Sequence, residues 1–267
     1  MYRADRASNR TWKRLLTEDG SPTLLHPEHG EACHDRTGAW TQATGRYAAG
    51  CRLRERARAG GTLRLLDVGT GLGWNLAAAV QALWGTGARL AAVTLELDPA
   101  PIRSALALPR PAGLPPGAGE SHEAVRAALE RALAAGGSGE PVELDVDGGP
   151  PGTLALHLGD ARRTLPELAP EVRFDAVFLD PFSPAQAPEL WEPEVLGEIA
   201  RRMAPGSLLA TYSAATRVRV ALARHGLGVA RGPEVGRKRE GTLAGPGLVA
   251  GPEDADLVRR IRRHLKV

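Results

Sequence analysis

Asp180 closes the apolar run Ala176-Val177-Phe178-Leu179 and is followed by Pro181-Phe182-Ser183-Pro184. A carboxylate at the carboxyl end of a buried strand faces the crevice where open α/β sheets bind their ligands. There it can take a proton from a primary amine and stabilise the ammonium that develops as the amine attacks. The two prolines stiffen the loop, so Phe182 can wall the site against water. Upstream, Leu66-Asp67-Val68-Gly69-Thr70-Gly71-Leu72-Gly73-Trp74-Asn75 sets three glycines at alternate positions between an apolar run and a helical pattern. Glycines there let a ligand approach the backbone where a Cβ would block it. Glu96 closes the next apolar run, in position to accept hydrogen bonds from ribose hydroxyls.

The spacing Gly69, Gly71, Gly73 is not the G-x-G-x-x-G of dinucleotide sites. A pyrophosphate needs open amides at a helix N-terminus, and Asp67 just before the turn would repel it. The pattern favours S-adenosylmethionine, which carries no phosphate, over NAD. Gly159-Asp160 follows a further apolar run, 154–158. Asp160 there can accept from the exocyclic amine of a nucleoside base, or N-cap a helix starting at Ala161, or do both.

Elements of alternating type must position these groups. Residues 63–68 read as a strand, 75–83 as a helix and 90–95 as a strand, a βαβ unit that implies a parallel sheet. A proline-rich loop at 109–121 precedes a helix at 123–134, bounded by Gly136-Gly137. Strands at 142–146 and 153–158 flank the turn Gly148-Gly149-Pro150-Pro151-Gly152. Then come a strand at 174–179, a helix at 194–203 stopped by Pro205-Gly206, a strand at 207–212, a helix at 215–224 and a short basic helix at 257–265. Residues 1–60 read as an extension with one helix near 41–57. The expectation is a doubly wound α/β domain over 61–245, with an insertion at 109–152 and a basic tail at 246–267.

Hydrophobic residues make up 43% of the 267 and charged residues 24%, a globular balance that excludes general disorder. No run approaches the roughly 18 apolar residues of a membrane span, and the N-terminus lacks a signal peptide's apolar stretch. Cys33 and Cys51 are too few for a four-cysteine zinc set. These features predict a soluble, cytoplasmic protein with no metal and no membrane contact. The net charge of +3 hides segregation: residues 1–60 hold 11 basic and 7 acidic side chains, 61–200 hold 9 and 19, and 201–267 hold 14 and 5. Basic flanks around an acidic middle suggest a polyanionic partner. Arginine outnumbers lysine so heavily that a GC-rich genome accounts for the choice of base, though not for the segregation of sign.

Asp180-Pro181-Phe182-Ser183-Pro184-Ala185 and then Pro188-Glu189-Leu190-Trp191 resemble the D-x-F-x-P-x-x-x-P-E-x-W segment of the methyltransferase half of the MnmC family of tRNA 5-methylaminomethyl-2-thiouridine biosynthesis proteins. The stretches 205–213 and 218–226, the glycine turn with Asn75, and Gly236-Arg237-Lys238-Arg239-Glu240 fit the same family. Near the N-terminus, Thr17-Glu18-Asp19-Gly20-Ser21 and residues 34–39 resemble its stand-alone members, which lack a flavin oxidoreductase half. Pro181 stands where the family pattern has a small Gly or Ala.

The resemblance implies a class I methyltransferase fold with a mostly parallel seven-stranded sheet. It implies S-adenosylmethionine as donor and 5-aminomethyl-(2-thio)uridine at the tRNA wobble position as acceptor. Asp180 and Phe182 become the catalytic candidates. Gly69, Gly71, Gly73, Glu96 and Asp160, with Asp67, Thr70, Asn75 and Ala161 beside them, become the donor-binding set. A stand-alone form implies a link to a separate enzyme that supplies the aminomethyl-uridine. Arg237, Lys238 and Arg239 become RNA-binding candidates through phosphate contacts, or else charges that protect a sheet edge. Trp74 and Trp191 are open to base stacking or to a place in the core. His34 is open to a place in the donor pocket or in a turn.

Overall fold

In the computed structural model, which describes residues 12–28, 30–109, 111, 113–236 and 240–266, the chain opens on an antiparallel hairpin, β1 (Lys13–Leu16) and β2 (Pro22–Leu25). The Asp19 carboxylate in its turn accepts from the Ser21 amide at 2.9 Å and from the Thr41 amide and hydroxyl at 2.8 Å each. Ser21 Oγ accepts from the amides of Ala39 and Trp40 at 2.8 and 3.2 Å. Those amides begin α1 (Ala39–Gln42) and have no partner within the helix. The hairpin turn therefore caps a helix 18 to 22 residues further on.

The single helix expected near 41–57 is three pieces. Helix α1 runs into a π-helical turn, Ala43–Ala48, and Arg52, with a left-handed φ of 53°, breaks the run before α2 (Leu53–Ala57). A left-handed residue cannot continue a right-handed helix.

Strand β3 (Thr62–Val68), α3 (Trp74–Leu83) and β4 (Arg89–Glu96) form the expected βαβ unit. Helix α4 (Pro99–Leu106) escaped the sequence reading, although Asp98 caps it by accepting from the Ala100 amide at 2.8 Å. The insertion supplies α5 (Ala118–Ala134) and β5 (Ser138–Leu144), each starting several residues earlier than expected. Gly117, Gly136 and Gly137 all take positive φ, so the turns lie at these glycines. There follow β6 (Gly152–Leu158), α6 (Ala161–Glu167), β7 (Phe174–Leu179), α7 (Pro193–Arg201), β8 (Met203–Thr211), α8 (Thr216–Arg224), β9 (Gly228–Gly232), β10 (Gly241–Gly245) and α9 (Ala255–Leu265).

The main sheet has the order β5-β6-β4-β3-β7-β8-β10-β9. Strands β6 to β8 are parallel, whereas β5, β10 and β9 pair antiparallel to their neighbours. The doubly wound class stands, with eight strands rather than seven, because β5 folds back along β6. Pro205-Gly206 lies inside β8 and stops no turn; the register against β7 shifts there instead. The strand after the basic signature is not an edge, since β10 sits between β8 and β9.

Alternate residues of β7 feed opposite layers. Ala176 and Phe178 pack with Tyr47, Trp74 and Leu76, while Val177 and Leu179 pack with Trp191, Ile199 and Leu222. The N-terminal helices thus belong to one layer of the core, and α9 joins the other through Leu257 and Ile261.

Helix α5 seats directly on the glycine turn. His122 stacks on Trp74 with centroids 3.7 Å apart and an interplanar angle of 7°. Its Nε2–H donates to the Leu72 carbonyl at 2.9 Å, and burial lowers its pKa to about 4. A Cβ on Gly73, whose φ is +79°, would stand 3.0 Å from Val125 and 3.1 Å from Leu129. Gly73→Ala should therefore lower stability by about 1–2 kcal/mol from backbone strain alone, seen as a fall in Tm of about 2–8 °C in a calorimetric scan. An unchanged Tm would show that α5 does not need the bare glycine.

Candidate active site

Strand order reverses between β3 and β7, and the carboxyl ends of strands at such a switch point are where open α/β sheets bind their ligands. The turn after β3 and the loop after β7 meet tightly. The Asp180 amide donates to the Val68 carbonyl at 2.9 Å. A Cβ on Gly69 would lie 2.7 Å from the Asp180 carbonyl oxygen. Gly69 is thus required by the approach of β7's loop.

Asp180 is held through both oxygens. Tyr47 Oη donates to Oδ1, and Asn75 Nδ2 donates to Oδ2 at 2.9 Å. Tyr47 comes from the π-helical turn, a local geometry that is common at functional sites. Burial, together with the Asp180 charge, pushes the Tyr47 hydroxyl well above the ordinary tyrosine range, so it stays a donor. Asn75 lies in the first turn of α3 and also neighbours Asp67. Neither Tyr47 nor this use of Asn75 was legible from spacing; Tyr47 is 133 residues from its partner.

The loop bearing Asp180 and Phe182 is fastened at every step. Tyr212 Oη donates to the Pro181 carbonyl at 2.9 Å, and Trp191 Nε1 to the Phe182 carbonyl at 2.9 Å. Ser183 Oγ donates to Glu31 at 2.9 Å, and Arg217 to the Pro184 carbonyl at 2.6 Å. Phe182 packs at 5.0 Å against His26, and Trp12 stacks with Phe182 at 6.4 Å and 27°. Trp12 and His26, which flank the hairpin, thus gather with Phe182, two residues beyond Asp180 in sequence, and sequence reasoning found only one of the three.

On the other side of the crevice, the Glu96 carboxylate accepts from the Gly71 amide at 2.9 Å and the Asp98 amide at 3.2 Å. Burial raises its pKa while these amides lower it, with a net upward shift. A Cβ on Gly71 would meet nothing within 4 Å, so the turn is open on that side. Cys33 feels both Glu96 and Asp180 across the cleft; burial first, then these charges, push its thiol up to about 12.

Several expected donor contacts look elsewhere. Asp67 is fully buried beneath the turn, accepting from Thr94 Oγ1 at 2.9 Å, and Thr94 in turn bonds Thr70 at 2.5 Å. Burial pushes the Asp67 pKa well above the carboxylate range. Asp67 and Thr70 shape the turn from below. Gly73 faces α5. Asp160 N-caps α6 by accepting from the Arg162 amide at 3.0 Å and pairs with the Arg162 guanidinium, which with that amide holds its pKa low. It remains partly exposed at the end of β6, with the buried Ala161 beside it. Trp74 and Trp191 are buried core residues, which removes both from base stacking. His34 is bonded to Thr23 at 2.9 Å, and burial lowers its pKa to about 4. Arg237, Lys238 and Arg239 lie outside the described residues. The stem before them is anchored, because Arg46 donates to the carbonyls of Pro233 and Val235 at 3.2 Å each. No group of side chains suited to a metal occurs among the described residues, and no helix among them is long and apolar enough to cross a membrane.

A doubly wound sheet with a glycine turn, an acid on the second strand and an acid at the switch point defines a class I methyltransferase. A family profile described as S-adenosyl-L-methionine-dependent methyltransferase matches residues 120–246. The solved structure of MnmC2 from Aquifex aeolicus is similar at 30% identity and a TM-score of 0.74, over 96% of this chain and 77% of that one. The MnmC bifunctional protein for tRNA 5-methylaminomethyl-2-thiouridine biosynthesis from Pseudomonas aeruginosa is 35% identical over 247 residues, 88% of this chain and 35% of that protein. Its counterpart from Methylibium petroleiphilum is 36% identical over 233 residues, 86% and 33% of the two chains. The chain spans about a third of the length of these bifunctional relatives. It belongs to the MnmC methyltransferase-domain family, and its methyl donor is S-adenosylmethionine.

Removing the Tyr47 hydroxyl takes away a hydrogen bond that favours the charged form of Asp180. Tyr47→Phe should therefore move the acidic limb of the pH–rate profile to higher pH while donor affinity is retained. A profile superposable on that of the unaltered enzyme would show that Tyr47 does not tune the carboxylate.

Proposed function

We propose that this enzyme methylates the primary amine of 5-aminomethyl-(2-thio)uridine at the wobble position of tRNA, giving the 5-methylaminomethyl product. The observation that carries the reading is the Asp180 carboxylate, fixed at both oxygens at the switch point beside the glycine turn. Relatives named for 5-methylaminomethyl-2-thiouridine biosynthesis supply the substrate class.

Bound S-adenosylmethionine supplies an electrophilic methyl group on a sulfonium. Glu96 would hold its ribose hydroxyls, the open side of Gly71 would admit it close to the backbone, and Asp160 with Ala161 would meet its base. The fit rests on the acid at the end of β4 and the empty space over Gly71. Asp180 orients the acceptor amine and accepts its surplus proton. The proton that the nitrogen sheds on methylation would pass to the Asp180 carboxylate and from there to solvent. Phe182 and its neighbours Trp12 and His26 exclude water and present aromatic faces to the extruded base. Arg237, Lys238 and Arg239 would contact phosphates.

Asp180→Ala should lower kcat by about 10²–10⁴-fold, the usual worth of positioned acid–base groups, with little change in donor affinity. Equal losses of turnover and donor binding would reduce Asp180 to a binding role. Glu96→Ala should weaken the donor by about 10–100-fold in isothermal titration, as expected for lost charge-assisted hydrogen bonds; unaltered affinity would remove Glu96 from the pocket. The substrate is tested with labelled donor and tRNA from a strain blocked in the last wobble step. Label should enter a single wobble nucleoside, and label entering small molecules or protein instead would redirect the assignment.

A further inference from the structure

We propose that the outer face of α9 docks the sugar–phosphate backbone of an RNA stem whose reacting nucleoside enters the crevice. The proposal rests on the tRNA reading above and adds a surface beyond residues 120–246, the stretch that the family profile matches.

Helix α9 has two faces of different chemistry. Leu257 and Ile261 are buried against the layer containing Leu222 and Val229. The opposite arc carries Arg259, Arg260, Arg262, Arg263 and Lys266, all exposed. Among the described residues only Arg260 has an acidic partner, Asp256 at 3.5 Å. Asp256 is itself engaged by Arg231 at 2.7 Å, so little of its charge is left for the arc. Arg259, Arg262 and Arg263 stand three and four residues apart, where like charges repel and weaken a helix. Among the described residues none of these three meets an acidic side chain, and an external polyanion would relieve the repulsion.

The arc is also held rigidly. At the N-terminal end of α9, Arg231 bonds Asp254 at 2.9 Å, Asp256 at 2.7 Å and Glu240 at 3.1 Å. Glu240 directly follows the Arg237-Lys238-Arg239 signature in sequence, and its other partner is the buried Arg219 at 2.8 Å. The start of α9 is thus tied through Arg231 to Glu240, the residue that follows the signature in sequence. At its far end, Arg224, itself exposed, donates to the His264 carbonyl at 3.2 Å and ties α9 to α8.

The chemistry of the face selects nucleic acid over a lipid surface. A helix that lies on a membrane inserts an apolar face, and here that face is already used inside the protein. Guanidinium groups bind phosphates through paired hydrogen bonds without reading sequence. Arg259 and Arg263 are one helical turn apart, about 6 Å along the axis, and both point into solvent.

The test uses the full chain. The Arg259→Gln, Arg260→Gln, Arg262→Gln, Arg263→Gln variant is compared with wild type for binding and methylation of tRNA from the blocked strain, across about 50–200 mM salt. The expected result is about tenfold or greater loss of tRNA affinity at the lower salt. The slope of log affinity against log salt should fall by about two to four, one for each lost phosphate contact. Donor affinity and kcat at saturating tRNA should be unchanged. Replacing the four arginines by lysine should retain most of the affinity. If the fourfold variant does not fold, the Arg259→Gln, Arg263→Gln and Arg260→Gln, Arg262→Gln pairs should each show about half the fall in slope. Wild-type affinity and slope in the glutamine variants would overturn the proposal. So would loss of binding to phosphatidylserine vesicles with tRNA binding intact. Wild-type chain that binds tRNA in an α9-dependent way but methylates none of it would overturn the substrate reading and leave the docking face standing.

Discussion

Everything in the crevice depends on how closely the turn after β3 and the loop after β7 approach. The Asp180 amide is spent on the Val68 carbonyl, and Gly69 has no room for a side chain. That contact fixes the backbone of Asp180 before any side chain is considered. Tyr47 and Asn75 then fix the carboxylate, and Tyr212, Trp191, Ser183 and Arg217 hold the following four residues. A reacting group must sit within tenths of an ångström of its productive place, and here that placement is overdetermined. Proximity and orientation, rather than strong chemistry, are what such a site offers a methyl transfer.

The N-terminal extension completes the site. Its π-helical turn sends adjacent residues to different tasks: Arg46 to the stem before the basic signature and Tyr47 to Asp180. Its hairpin contributes Trp12 and His26 to the aromatic wall, and the segment just after it contributes Glu31 to the loop clasp. The insertion acts on the opposite side, where α5 presses on Gly73 and His122 grips the Leu72 carbonyl. The glycine turn therefore serves two masters. Gly69 and Gly73 answer to protein packing, whereas Gly71 has open space on the side where a Cβ would stand.

Much of this was legible in the residues. Apolar runs ended by Asp180 and Glu96 located the strand ends, and the glycine turn located the crevice between them. What the pattern could not give was direction. Asp67 alternates with its neighbours in β3, and one residue of register decides whether it faces the crevice or the buried Thr94; the structure puts it with Thr94. Trp74 and Trp191 are compatible in sequence with a core or a stacking surface, and burial decided for the core. Tyr47, Trp12, His26 and Glu31 carried no local signal, because each acquires its role only through a partner far along the chain. The π-helical turn has no spacing signature at all. Pro205-Gly206 misled because the strand tolerates them where its register against β7 shifts.

The distance in sequence between Tyr47 and Asp180 bears on how the molecule is made. The segment carrying Tyr47 and Cys51 leaves the ribosome well before β7 and β8, yet it is buried against Phe178 and touches the carbonyls of Val177 and Leu208, all more than 120 residues later. Long-range closure of this kind is slow and comes late. The nascent chain must carry those helices with their apolar face uncovered until β7 and β8 are synthesised. Fixing the Asp180 carboxylate and closing this layer of the core therefore wait on the same late-made strands.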